Sequence, residues 1–266
     1  LFSERAQRLK NVGEMIRGEP LNAGPLLPQK GGNAFLKSLG QGYTSDVHEE
    51  IRKRCEEILR RVPPGVTVLA ATKDRSPQEI RAALAAGIQH IGENYVQEAE
   101  RKKAEIPEPA TWHMIGHLQK NKARKATLLF DWIQTVDSLE LAQKLDQVAK
   151  DAGKILPVLI EVNIGREPQK AGVLPEDLFP LAQAIQKLPN LRLRGLMAIP
   201  PAPKNPEDSR PYFRALRKLF EELKREGFEL DTLSMGMSAD WEVAVEEGAT
   251  MIRLGTALFG PRSPSP

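Results

Sequence analysis

The chain has 266 residues, 41% hydrophobic and 27% charged, an ordinary globular balance that excludes a low-complexity or disordered polymer. Its formal net charge of +3, with both signs interspersed, is too small to argue for nucleic acid, and its single cysteine, Cys55, excludes a disulfide framework or a cysteine metal cluster. The four histidines show no HExxH-type spacing, no apolar run reaches the roughly 18 residues of a membrane span, and no signal peptide is evident, so a cytoplasmic protein without a metal site is expected.

Residues Leu1 to Thr44 carry seven glycines and three prolines and sustain no apolar period, so they read as a loosely packed or disordered extension. A helix over Glu4–Ile16 has weak support there. The sequence begins with Leu, as a fragment or an upstream read-through would. From Ser45 the pattern changes. Val47, Ile51, Cys55, Ile58 and Leu59 recur at helical spacing until Pro63-Pro64-Gly65 stops them.

Val66 to Thr72 is an unbroken apolar and β-branched run, the signature of a strand buried on both faces. Lys73 ends it. Ser76-Pro77-Gln78-Glu79 then supplies an N-cap, a proline at the first helical position and a capping-box glutamate for a helix over Pro77–Ala86. Strand Gln89–Gly92 precedes a helix from Tyr95, with Asn94 and Gln97 as a second capping pair. Strand Thr111–Ile115 precedes a basic helix, Lys120–Leu128. Strand Trp132–Val136 precedes Leu139–Lys150, and strand Ile155–Asn163 precedes Glu176–Leu188. Strand Arg192–Ile199 leads to a longer helix whose buried stripe is Phe213, Leu216, Leu219, Phe220 and Leu223, ended by Gly227. Strand Asp231–Ser234 precedes Ala239–Glu247, and strand Thr250–Leu254 runs into Gly255-Thr256. Residues 263–266 form a tail.

Eight strands alternating with helices predict a (β/α)8 TIM-type barrel over residues 45–262, one domain, with the Ser45–Arg61 helix filling the outer gap. A doubly wound open sheet is the competing arrangement. In either case sites form where strands end. Those ends carry Lys73, Glu93-Asn94, Gly116-His117, Asp137, Asn163, Met197, Ser234-Met235-Gly236 and Arg253 to Thr256. A single lysine after a strand is ordinarily a solvated loop residue. Here it shares a rim with Ser238, read as opening a helix, and with the Gly255-Thr256 turn, both suited to phosphate. A phosphate and a group that a lysine attacks together describe pyridoxal 5'-phosphate, whose aldehyde forms a Schiff base with an amine. Arg253 would then face the pyridine nitrogen. An arginine keeps that nitrogen unprotonated, which makes the ring a poor electron sink and argues against carbanion chemistry.

The motifs resemble one family closely. Ala71-Thr72-Lys73, Ile91 to Glu98 (IGENYVQE), Trp112 to Lys122 (WHMIGHLQKNK), Gly195 to Ile199 (GLMAI), Leu233 to Asp240 (LSMGMSAD) and Ile252 to Gly260 (IRLGTALFG) are similar to those of the pyridoxal phosphate homeostasis proteins. The likeness spans about Ser45 to Arg262. Thr72 stands where a serine is common, and the first 44 residues have no counterpart. The resemblance implies the alanine racemase N-terminal barrel, with Lys73 holding the cofactor as an aldimine. It further implies Ser238, Gly255 and Thr256 on the phosphate, Asn94 beside the ring and Arg253 at its nitrogen.

It also implies a carrier or homeostasis role without turnover, hence no catalytic residue, with PLP-dependent apo-enzymes as cofactor acceptors and a monomeric state. The chain runs six residues past Gly260, so the racemase's second, β-rich domain is not expected to follow. The alternative is an amino-acid racemase working with the barrel alone. That chemistry needs a second acid/base, and of Tyr43, Tyr95 and Tyr212 only Tyr95 lies in a motif. RNA binding through Lys120, Lys122, Arg124 and Lys125 is a third class, for which a solvated helix face is the simpler account.

Overall fold

Eight parallel strands pair in sequence order and close on themselves into a barrel. The computed structural model describes residues 41–262. The expected helix at Glu4–Ile16, the tail and most of the expected N-terminal extension lie outside the described residues. Helix α1 (Gln41–Arg61) begins four residues earlier than the pattern placed it. In order there follow β1 (Thr67–Ala71), α2 (Pro77–Ala85), β2 (His90–Glu93), α3 (Val96–Glu105), β3 (Thr111–Met114), α4 (Ala123–Leu129), β4 (Trp132–Val136) and α5 (Leu139–Asp151). The second half holds β5 (Leu156–Glu161), α6 (Pro175–Gln186), β6 (Leu191–Met197), α7 (Arg210–Arg225), β7 (Thr232–Ser234), α8 (Trp241–Glu246), β8 (Met251–Leu254) and α9 (Thr256–Phe259). Short 3-10 turns, Lys120–Lys122 and Pro206–Ser209, lead into α4 and α7.

Closure rests on the pairing of β1 with β8, in which Thr67 to Ala70 align with Met251 to Leu254. An open, shuffled sheet is thereby excluded. Helix α1 does sit beside this seam: Arg61 pairs with Glu242 of α8 at 2.7 Å and lies over the Trp241 ring. Ile51, Cys55 and Ile58 of α1 are buried in the main core. That burial pushes the Cys55 thiol up to about 12, so it behaves as a small apolar group. Among the described residues, no helix is long and apolar enough to cross a membrane.

The main apolar core lies between the strands and the surrounding helices. Inside the barrel a second, much smaller cluster consists of Leu69, Ile115 and Met251. Gly92 faces this cluster, since a Cβ there would stand 2.5 Å from Leu69 Cδ2. On β6 the register against β5 shifts between Val158 and Leu159. Gly195 lies next to this irregularity, so close to β7 that a Cβ would come within 1.6 Å of the Thr232 carbonyl.

Candidate functional site

The turn after β1 is built from its neighbours inward. Ser76 and Glu79 form the expected reciprocal capping box, at 3.1 and 3.0 Å, so α2 starts at Pro77, four residues after Lys73. Asp74 adopts a left-handed conformation, φ 61°, which turns the chain sharply off the strand. Arg75 is buried and donates through Nη2 to the Gly260 carbonyl at 2.7 Å, tying this turn to the end of α9. Lys73 itself is half-buried, with Nζ 5.6 Å from the centre of the Tyr95 ring.

Register brings the other rim residues to it. Ala71 aligns with Gly92, so Lys73 and Asn94 lie two residues further along adjacent strands. On the other side, the Cβ position of Gly255 is 3.5 Å from the Ala71 carbonyl. Asn94 is half-buried and its main chain lies against Gly116, where a Cβ would approach Asn94 O to 2.2 Å. A cavity of about 390 Å³ opens beside it, walled by Asn94, Tyr95, Gly116, His117 and Lys122.

Two readings from spacing need correction. Asn94 and Gln97 are not a capping pair: the N-cap of α3 is Tyr95, extended and without a side-chain cap bond, so Asn94 falls one residue too early. Ser238 does not open α8, which starts at Trp241 behind Asp240. Asp240 is already engaged, accepting from Met237 N–H at 2.8 Å and from the Ser209 hydroxyl at 2.7 Å. The Ser238 hydroxyl turns instead to the next strand end. It accepts from the backbone N–H groups of Gly255 at 3.2 Å and Ala257 at 3.0 Å. Ser238, Gly255 and Thr256 are thus gathered as expected, by a different local device.

Arg253 lies a layer deeper, level with Leu69 and 3% exposed. Burial lowers its guanidinium to about 10 while Glu161 and Asp240 oppose the shift, so it is cationic at neutral pH. It donates to Ser234 Oγ at 2.7 Å and to the Ala198 carbonyl at 3.0 Å. Ser234 passes its own hydrogen to Gln134 Oε1 at 2.7 Å. Gln134 Nε2 lies 3.0 Å from His113 Nδ1, and His113 Nε2 lies 2.9 Å from His90 Nδ1. A polar column therefore runs through the barrel from Arg253 to His90, which borders a cavity of about 410 Å³ at the opposite end. Burial holds both imidazoles below their ordinary range.

Spacing did not single out Gln134, His113 or Glu161. Glu161 ends β5, 8% exposed, and burial together with nearby Asp137 raises its carboxyl to about 7 against the pull of Arg253 and Lys170. A signal existed: each is a large polar or charged residue in a strand that otherwise holds only apolar residues and threonine. Among the described residues, no cluster of histidine, cysteine and carboxylates could hold a metal.

The sequence model of the family described as "Alanine racemase, N-terminal domain" matches residues 48–263. The pyridoxal phosphate homeostasis protein of Pseudomonas aeruginosa is 46% identical over 76% of this chain and 87% of its own. That of Aquifex aeolicus is 44% identical over 82% of this chain and 96% of its own. Among solved structures, PipY of Synechococcus elongatus, described with PLP bound, superposes with a TM-score of 0.75 at 42% identity, covering 79% of this chain and all of that one. The alanine racemase of Clostridium difficile shares the fold at 15% identity, with a TM-score of 0.71 over 82% of this chain and 58% of its own.

Proposed function

Since the chain belongs to the pyridoxal phosphate homeostasis protein family, we propose that it binds pyridoxal 5'-phosphate at the Lys73 rim and holds it rather than turning over a substrate. One juxtaposition carries this reading: a half-buried lysine, a buried cationic arginine and a serine-bridged pair of backbone N–H groups share one end of the barrel. When bound, the cofactor supplies an aldehyde for an amine to condense with and a ring nitrogen whose protonation governs electron withdrawal.

The residues fit that group. Lys73 Nζ is the amine. Lys102, not Lys73, takes the two nearby carboxylates, Glu93 and Glu98, each at 2.7 Å. Arg253 uses two of the five hydrogens of a guanidinium on Ser234 and Ala198. It keeps donors for an acceptor above it and has no readily lost proton to give a ring nitrogen. The Ser238 hydroxyl, accepting from the N–H groups of Gly255 and Ala257, keeps its own hydrogen to donate to an anion at this turn. Asn94 stands beside the seat of the ring.

Mixing the purified protein with pyridoxal phosphate should give a long-wavelength absorbance band that Lys73→Ala abolishes, and borohydride reduction followed by peptide mapping should label Lys73. Label spread over surface lysines would overturn a dedicated site. The proximity of Tyr95 to Lys73 favours a second reading, turnover of an amino acid with Tyr95 as second acid/base. Deuterium wash-in at the α-carbon of alanine at enzymatic rates, lost in Tyr95→Phe, would establish it in place of holding.

A further inference from the structure

Lys73 is flanked by a second lysine that never reaches the rim. Lys102 of α3 is 3% exposed and points into the layer between the barrel and its helices. Its Nζ donates to the Thr72 carbonyl at 2.6 Å and stands 2.7 Å from a carboxylate oxygen of both Glu93 and Glu98. Glu93 is wholly buried, and its contact with Lys102 has ion-pair distance without hydrogen-bond alignment. Glu98 reaches further, accepting the Asp74 N–H at 3.0 Å. The residue before Lys73 is therefore held through its carbonyl, and the residue after it through its amide. The first tie is made by buried Lys102 and the second by half-buried Glu98 paired with it.

Stability alone does not account for this cluster. Taking a lysine and a glutamate out of water is expensive, and apolar side chains of similar volume commonly serve a core as well or better. The surrounding layer is apolar, with Ile91, Val96 and Ala99 buried nearby. What apolar side chains cannot do is select one carbonyl and one amide. The two chosen here belong to the peptides that set the direction in which Lys73 leaves the strand. Asp74 is also one of two non-glycine residues with positive φ among those described, a conformation that persists where surrounding contacts hold it.

We propose that Lys102, Glu93 and Glu98 are positioning residues for Lys73, fixing the backbone on both its sides so that Nζ is presented to an aldehyde rather than to a carboxylate. This rests on the reading of Lys73 given above. Burial raises the Glu93 carboxyl to about 7, against the opposing pull of Lys102, while Lys102 and the Asp74 amide outweigh burial at Glu98 and hold it below its ordinary range.

The test has two arms on the full chain. Without ligand, amide hydrogen exchange at Asp74 should accelerate about tenfold or more in Glu98→Leu and stay near wild type in Glu98→Gln, which keeps the acceptor. With ligand, Glu98→Leu and the neutral pair Lys102→Met/Glu93→Gln should weaken pyridoxal phosphate about tenfold, while pyridoxine 5'-phosphate, an alcohol in place of the aldehyde, changes less than about threefold. Equal weakening of both ligands would mean a general loosening and overturn the proposal. So would unchanged Asp74 exchange in Glu98→Leu. If the wild-type protein binds neither ligand, the reading of Lys73 falls and the proposed use of the brace with it. Failure of the exchange arm alone removes the brace and leaves that reading standing.

Discussion

Replacing Glu161 with glutamine should stabilise the protein, and the gain should grow with pH. The carboxyl is 8% exposed, and burial with the nearby charge of Asp137 raises it from 4.5 to about 7, even though Arg253 and Lys170 pull the other way. A raised acid binds its proton more tightly in the folded state. Its contribution is full below pH 4.5 and is lost as pH rises through about 7. At about 1.4 kcal/mol per pH unit the loss approaches about 3 kcal/mol by pH 8. The attraction of Arg253 is already included in that balance, so desolvation wins. Glu93 has the same sign and window and remains in both proteins, so the difference between them isolates Glu161. Urea unfolding of the ligand-free protein should show the advantage of Glu161→Gln rising by about 2 kcal/mol between about pH 5 and pH 8, or about 4–8 °C in Tm. A difference constant across that range would refute the reasoning, because a packing or hydrogen-bond effect carries no such pH dependence.

Two further outcomes follow from close contacts. Ser238→Ala removes the bridge between the Gly255 and Ala257 amides and should weaken retention of pyridoxal phosphate roughly ten- to a hundredfold, at about 1.5–3 kcal/mol for a bond to a charged group. Unphosphorylated pyridoxal should be nearly indifferent to the change, and equal losses for both in equilibrium dialysis would contradict the seat. Gly195→Ala places a Cβ 1.6 Å from the Thr232 carbonyl and should cost at least about 3 kcal/mol, because strand β6 has to move off β7. A calorimetric Tm within about a degree of wild type would count against that packing.

The barrel was legible because its signals are local. The apolar run into Lys73 is a buried strand, the Ser76 and Glu79 pair caps α2 as spelled, and Leu141, Leu145 and Val148 form the buried stripe of α5. Strand order needed only the repeated alternation. The rim residues followed from that order, since each ends a strand.

What escaped spacing depends on partners far away in the chain. Gln134 is one polar residue in a strand, and its meaning comes from Ser234, 100 positions later. Ser238 has the residue type of a helix cap but caps the segment after the next strand. Lys102 sits in Arg101-Lys102-Lys103, where composition predicts three solvated cations. Only helical phase separates it from its neighbours, because Lys102 repeats the interval from Val96 to Ala99 and so falls on the buried face.

The column through the barrel has a sense as well as a composition. Arg253 can only donate, so Ser234 receives from it and gives onward to Gln134, whose amide then gives to His113 Nδ1. On that assignment of the amide and the tautomers, His113 carries its hydrogen on Nε2 and offers it to His90 Nδ1. Every member hands a hydrogen in one direction, away from the arginine. A proton arriving on His90 Nδ1 would meet a donor. Accepting it would require His113 to change tautomer and Gln134 to turn over, and Ser234, then receiving from both Arg253 and Gln134, would lose the acceptor of its own hydrogen. The interior is therefore polar along its length, yet its one permanent charge stays at the end where the strands finish.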